Sequence, residues 1–405
     1  MRPEEIRPLT TLRFVGAMAV FVGHLPFLPD DISGWWSNTL LVANAFGTIA
    51  VGFFFVLSGY ILAYIYAGRV DGFGAPATAN YLAGRIAKIY PLHLATLLLW
   101  LPLEWLASKP LDVTLVKIAV VAPLLQAFVP HPSVIGALNL PSWSLSDEMF
   151  FYLLFPLLIP LVMRASRRTA VVAVLAIAAL GCASAMALRG LTPAYEAWIA
   201  TLPAGWDAFV QRLDLLYWLT YMAPFTRVLD FIAGLLLFRA LGGLGKPGFA
   251  LASAAEIGIV ALIVAVIGFW GTPGDHHRLV AGFMPTAIAV AAIFALDAGI
   301  LSRALSWGPL LYLGRVSFAI YMVHYVVFGY ARPFLPTGTV SSATFLAWSA
   351  GLLAVTLAAS VLLYHLVELP MQRRARDLAL PPIRAIIARW TNRRAPAAIR
   401  VAPAE

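Results

Sequence analysis

AFGTIAVGFFFVLSGYILAYIYA, residues 45–67, runs for 23 residues without one charged side chain. As an α-helix it would extend about 34 Å at 1.5 Å per residue, long enough for the roughly 30 Å hydrocarbon core of a bilayer. Working outward from it, apolar runs of comparable length lie at about 10–28, 84–106, 147–163, 169–188, 217–238, 250–270, 279–298, 309–331 and 344–366. The composition agrees: 61% of the 405 residues are apolar and 12% are charged, and the mean hydropathy is +0.85. A soluble domain is nearer half apolar and a quarter charged, so disorder, fibrous structure and an ordinary cytosolic enzyme are excluded. The expected fold class is all-α, a polytopic membrane protein of about ten transmembrane helices joined by short loops.

One further apolar stretch, 113–129, is short and carries Lys117 and Pro123. Charge decides its status, because Lys and Arg gather in cytoplasmic loops. The chain has 28 Lys+Arg against 19 Asp+Glu, a net charge of +9. On a soluble chain this would suggest nucleic acid; here topology accounts for it, and no nucleic-acid partner is expected. With ten crossings and both termini cytoplasmic, the inner face holds Arg2, Arg7, Arg13, Arg69, Arg85, Lys88, Arg164, Arg167, Arg168, Arg239, Lys246, Arg303, Arg315 and the eight arginines after Gln372. That is 21 of the 28 basic residues. An extra crossing at 113–129 would move the Arg164 cluster and the loops after it to the other side. The stretch is therefore expected to lie flat or re-entrant on the outer face.

The single cysteine, Cys182, excludes an intramolecular disulfide. The first run contains His24 and lacks a clear cleavage site, so it reads as a retained helix rather than a signal peptide. Residues 1–370 are expected to form one membrane-embedded domain and 371–405 a basic cytoplasmic tail. Within the tail, Ile383–Trp390 (IRAIIARW) has the composition to lie on an anionic inner leaflet, although fixing topology is role enough.

Ionisable groups inside spans are expensive, which makes each one a functional candidate to weigh against a structural role. Arg13 and His24 are eleven residues apart, about 20° past three full turns, so they share one helix face roughly 16 Å apart. An interfacial Arg and a satisfied His are the plainer readings of each alone. Ser58 and Gly59 suit close helix packing. Arg85 and Lys88, three apart at the start of the third span with Tyr90 following, could snorkel to the interface or hold the phosphates of an anionic cofactor.

The segment NLPSWSLSDEMFFY (139–152) is the most informative. Ser144 and Asp147 have the spacing of a helix-start capping pair. Glu148 then falls in the first turn of a span, with Tyr152 a turn further in. At the depth of His24, a Glu148 carboxylate would orient the imidazole and raise its basicity, as a general base requires. Arg227 and Asp230, three apart, are expected to form a local ion pair. Ser317, Tyr321 and His324 form an i, i+4, i+7 stripe that should face protein or water. Glu368 at the end of the last span is expected to pair with a neighbouring arginine. Glu256 and Asp297 suggest no role. His276 and His277, beside Asp275 in an expected external loop, are too few for a metal site, and no metal is expected.

Together these motifs resemble the acyltransferase-3 family of bacterial integral membrane acyltransferases. The matching elements are Arg13 and His24 at R-x10-H spacing, FFVLSGY (54–60), Arg85 with Tyr90-Pro91, WSLSDEMFFYLLFP (143–156), RVLDFIAG (227–234), LGRVSFAIYMVH (313–324) and Glu368-Leu-Pro370. They cover nearly the whole chain in the family's order. Lys88 stands where the family often has a second arginine; it keeps the charge but lacks the bidentate fork. Some relatives carry an added periplasmic esterase-like domain where this sequence has its basic tail.

The resemblance implies transfer of an acyl group, usually acetyl, from acyl-CoA to a sugar hydroxyl on a cell-surface polysaccharide or lipid-linked glycan at the bacterial inner membrane. Under it, Arg13, Arg85, Lys88 and Tyr90 would bind the acyl-CoA, and His24 supported by Glu148 would be catalytic. Ser58, Trp143, Tyr152, Tyr321 and His324 would face the substrate or the developing oxyanion. The alternative reading is a proton-coupled transporter or flippase, in which His24, Glu148 and the Arg227–Asp230 pair form a path; paired halves and interrupted midplane helices, the usual marks of such proteins, are not evident.

Overall fold

Hydrocarbon offers peptide groups no hydrogen bonds, so a chain of this composition passes through a bilayer as helices that satisfy their own backbones. The computed structural model describes residues 5–27, 36–67, 75–203, 215–270 and 276–374. The basic tail beyond Arg374 and both chain termini lie outside the described residues. The main helices, in chain order, are α1 (Arg7–Gly23), α2 (Trp36–Tyr66), α3 (Ala75–Leu106), α4 (Leu111–Val121), α5 (Trp143–Arg164) and α6 (Arg167–Ile199). They continue with α7 (Pro224–Leu241), α8 (Phe249–Trp270), α9 (His276–Ala295), α10 (Ile300–Leu305), α11 (Gly308–Ala331) and α12 (Ser342–Leu363). Among the described residues, 8 helices are long and apolar enough to cross a membrane. The expected spans 10–28 and 279–298 correspond to shorter elements, the 17-residue α1 and the Phe283–Ala295 part of α9.

The eleven residues of α4 reach only about 16 Å, too short to cross. Leu111, Leu115 and Val116 on it are exposed, while Lys117 is tied to Glu104 at 2.6 Å. His276 and His277 open α9 instead of lying in a loop.

Burial sorts the helices into two shells. About two-thirds of the apolar stretches of α2 and α7 are buried, against 11% for α6 and 17% for α12. The outer helices present Leu175, Val264, Val355 and Leu362 to their surroundings, a surface that needs an apolar solvent. In the inner shell α2 packs against α1, α7 and α9, and α1 packs against α11.

Two motif glycines set the α2–α7 crossing. A Cβ on Gly59 would land on the carbonyl oxygen of Phe231, and one on Gly234 would land on that of Val56. The two backbones touch there, the close approach that small residues allow between membrane helices. Gly314 on α11 meets the Thr10 carbonyl of α1 in the same way. Just outside α1, Glu5 accepts a 2.7 Å hydrogen bond from Arg315, which holds its carboxyl below the usual range.

Polar groups in the inner shell are matched to one another. The Arg227 guanidinium lies 3.0 Å from Asp230, with both side chains buried, and sits over the rings of Phe55 and Tyr221. This is the expected ion pair, with one addition. Asp147 is wholly buried, feels the charges of Arg227 and Asp230, and accepts no hydrogen bond from the described residues. It is therefore not the helix cap expected from its spacing. A 3₁₀ turn at Leu140–Ser142 precedes α5, and the Ser144 hydroxyl is spent on the Pro141 carbonyl at 3.0 Å. Trp143 packs edge-on to Phe55 and against Tyr221, beside this cluster. Glu256 also finds its purpose: its carboxylate accepts from the backbone of Gly299, Leu301 and Ser302 and from the Ser302 hydroxyl, capping α10 from the neighbouring α8.

Two outcomes follow. Gly59→Val or Gly234→Val should lower stability by about 1–3 kcal/mol or more, through forced separation of α2 and α7; thermal unfolding in detergent checks this. Arg227→Met should be among the most damaging single changes, at about 3–5 kcal/mol, because it leaves two buried carboxylates without a counter-charge. Arg227→Lys should keep the protein folded, as size-exclusion profiles of the two variants would show.

Candidate active site

Five helices, α1, α2, α3, α5 and α11, converge on a cavity of about 330 Å³. Its polar lining is Arg13, Ser58, Arg85, Lys88, Glu148, Tyr152 and Tyr321, with Ser144, Ser317 and Gln372 at its edges. Arg85 and Lys88 were expected at a helix start; α3 instead begins ten residues earlier, at Ala75. The added turns, APATANYLAG, are too polar for a hydropathy reading to include, yet contain nothing that breaks a helix after Pro76. Both cations are thus carried on the body of a helix, and they point into the cavity.

Their surroundings differ. The Arg85 guanidinium lies 5.6 Å from the centre of the Tyr152 ring and 5.9 Å from that of Tyr81, and its buried Nε has no hydrogen-bond partner among the described residues. Arg13 lines the cavity without an ion pair among those residues. Lys88 is paired with Glu368 and lies 5.0 Å above the Phe318 ring. Glu368 is buried, at 1% exposure, so its partner is this lysine rather than the expected arginine. It sits on a π-helical turn, Tyr364–Glu368, that follows α12, and Gln372 donates to it at 3.1 Å. Three cations against the single carboxylate of Glu148 give the cavity a net positive lining.

Glu148 accepts hydrogen bonds from Tyr152 and, at 3.2 Å, from Ser58. It does not meet His24, as depth alone had suggested. The ring of His24, at the C-terminal cap of α1, meets that of His324 edge to edge, the two planes within 7° and their centres 5.3 Å apart, with His24 Nδ1 3.0 Å from His324 Nε2. His324 is fully buried, and its Nδ1 lies 3.2 Å from the Ile320 carbonyl. Tyr325 closes one side of His24 and is itself stacked on Trp100. The pair is separate from the cavity lining: the cavity ends at Ser144 and Tyr321, whose hydroxyls meet at 2.8 Å. The Tyr321 ring is 6.1 Å from that of His324.

The structure therefore brings Arg13, Arg85, Lys88, Ser58, Glu148, Tyr152 and Tyr321 to one cavity, and His24 and His324 to a second site one helical turn beyond it. The stripe of Ser317, Tyr321 and His324 faces protein, as its period implied. Two expectations fail on position. Tyr90 lies off the cavity, donating to the Pro123 carbonyl at 3.4 Å and packing on His93. Trp143 belongs to the Arg227 cluster. The hydroxyls of Tyr152 and Tyr321 are both already engaged, with Glu148 and with Ser144 and Pro141, so neither stands ready as an oxyanion donor. Gln372 was missed, although its place one turn after Glu368 is a readable signal.

Acyltransferase MdmB of Streptomyces mycarofaciens is 32% identical over 410 positions, an alignment that covers 94% of this chain and 97% of that protein. No solved structure matches. The family described as acyltransferase domain, of the acyltransferase-3 type, matches residues 8–365. That range runs from the start of α1 into the π-helical turn and takes in the imidazole pair and all of the cavity lining but Gln372, and the chain belongs to the acyltransferase-3 family of membrane acyltransferases.

Proposed function

We propose that the protein is an O-acyltransferase of the bacterial inner membrane, with acyl-CoA, acetyl-CoA first among donors, as its cytoplasmic substrate. The acceptor is a sugar hydroxyl on a cell-surface or exported polysaccharide or on a lipid-linked glycan. The observation that carries this reading is Arg85. A guanidinium whose buried Nε lacks a partner among the described residues is a strong donor in want of an acceptor, and phosphate oxygens are the acceptors it matches best. Arg13 and Lys88 line the same cavity, so a ligand with several anionic groups would be held at more than one point. Glu148 fits a different task from these three: it keeps Tyr152 and Ser58 oriented and gives Arg85 a nearby counter-charge.

His24 is the acid–base group. Arg13 and His24 are eleven residues apart on α1, roughly 16 Å along its axis. The pantetheine arm of coenzyme A, two amide units and a short linker, extends on the order of 15 Å. A thioester tethered by phosphates near Arg13 and Arg85 would then arrive near His24 by passing the Ser144–Tyr321 contact that ends the cavity. There His24 takes the proton of the acceptor hydroxyl as the oxygen bonds to the acyl carbon. The C–S bond breaks, and the proton passes to the departing thiolate. Family membership favours this transfer chemistry over the transport alternative.

Purified protein incubated with radiolabelled acetyl-CoA should release CoA and pass label to a membrane glycan fraction. His24→Ala should insert normally and lose transfer; retained transfer by that variant would sink the assignment. Arg85→Gln should raise the KM for acetyl-CoA by about 10–100-fold with a far smaller change in kcat, since a hydrogen-bonded charge is worth about 1.5–3 kcal/mol.

A further inference from the structure

A histidine that serves as a base must present a lone pair, and in a neutral imidazole only one of the two ring nitrogens has it. Hydrogen bonds around His24 select which. A backbone carbonyl can only accept. His324 Nδ1, 3.2 Å from the Ile320 carbonyl oxygen, must therefore carry the hydrogen of that ring. With one hydrogen per ring, His324 Nε2 holds a lone pair. It lies 3.0 Å from His24 Nδ1, so the hydrogen of His24 is on Nδ1 and is donated to His324. His24 Nε2 is left with its lone pair, and no described residue hydrogen-bonds to it.

We infer that His324 is a positioning residue that locks His24 into its Nδ1–H tautomer and so makes Nε2 the basic atom. The inference rests on the reading of His24 as the general base given above. Backbone carbonyl, His324 and His24 form one directional chain, the arrangement a carboxylate provides in more familiar triads. Its geometry is set by packing. His324 has 0% exposure, Phe21 and Phe328 meet its ring edge-on at 6.4 and 5.6 Å, and the Ile320 carbonyl is one turn back on the same helix. When Nε2 takes the acceptor's proton, the imidazolium keeps its Nδ1–H on His324 Nε2, and the charge is shared with a second ring that has a carbonyl behind it. The arrangement spans 300 residues of sequence and joins α1 to α11, so it forms only when those two helices are docked.

Full-length protein in lipid nanodiscs, with acetyl-CoA as donor and membranes of a strain lacking the gene as acceptor source, tests this through CoA release. His324→Leu should lower kcat by roughly 100-fold with the KM for acetyl-CoA changed by no more than about twofold. His324→Gln, whose amide oxygen can accept from His24 Nδ1–H, should recover at least about tenfold of that loss. A His324→Leu protein with full kcat, or a Gln variant no better than Leu, would overturn the inference while leaving His24 as the base. An active His24→Ala protein would instead refute the general-base reading itself, so the two failures are distinguishable.

Discussion

The close approach at Gly59 against Phe231 and Gly234 against Val56 is where α2 and α7 meet backbone to backbone, and much of the interior is arranged around it. Ser58 is the neighbour of one glycine and reaches Glu148 across the cavity. Arg227 and Asp230 lie two turns and one turn before the other, where they meet Asp147 of α5. Moving the helices apart by the width of a methyl group would shift both polar clusters together. Membrane helices gain little from apolar burial against one another, since lipid tails are as apolar as their side chains, so such close packing has to supply what hydrophobic association supplies in water.

How much of this was legible beforehand depended on the range of the interaction. Spans were readable because each is a local run measured against a fixed thickness. The Arg13–His24 relation was readable because a helix makes residues eleven apart share a face, and the Arg227–Asp230 pair because it is one turn long. The partners of His24 and Glu368 were not readable. His324 is 300 positions from His24, and Lys88 is 280 from Glu368, so each pairing is a product of how helices dock. Asp147 was misread for a related reason: its spacing from Ser144 fits a cap, but Pro141 creates a turn upstream that uses the serine differently. The early start of α3 escaped because hydropathy measures fitness for lipid, while helix formation continues through polar turns beyond it.

Two polar sites in one bundle divide the proposed chemistry. The cavity carries the net positive lining. The imidazole pair lies one turn past Tyr321 and Ser144, in aromatic surroundings. Binding strength and proton transfer can then be tuned on different helices: α3 supplies two of the three cations, while α1 and α11 supply the two imidazoles. Arg13 alone shares a helix with His24.

The π-helical turn at Tyr364–Glu368 has a bearing on how this protein tolerates change in length. Such a turn holds one residue more than an α turn, so the segment after α12 stores a spare position. Removing one residue from it would relax the turn to ordinary helix and leave the register of the helix beyond largely unchanged. Leu366, which faces outward, would be a natural residue to delete, and the backbone would lose no hydrogen bonding. The contact between Lys88 and its buried counter-ion therefore tolerates the loss of one residue at this turn, whereas the same loss from a regular helical turn would swing Glu368 away by about 100°.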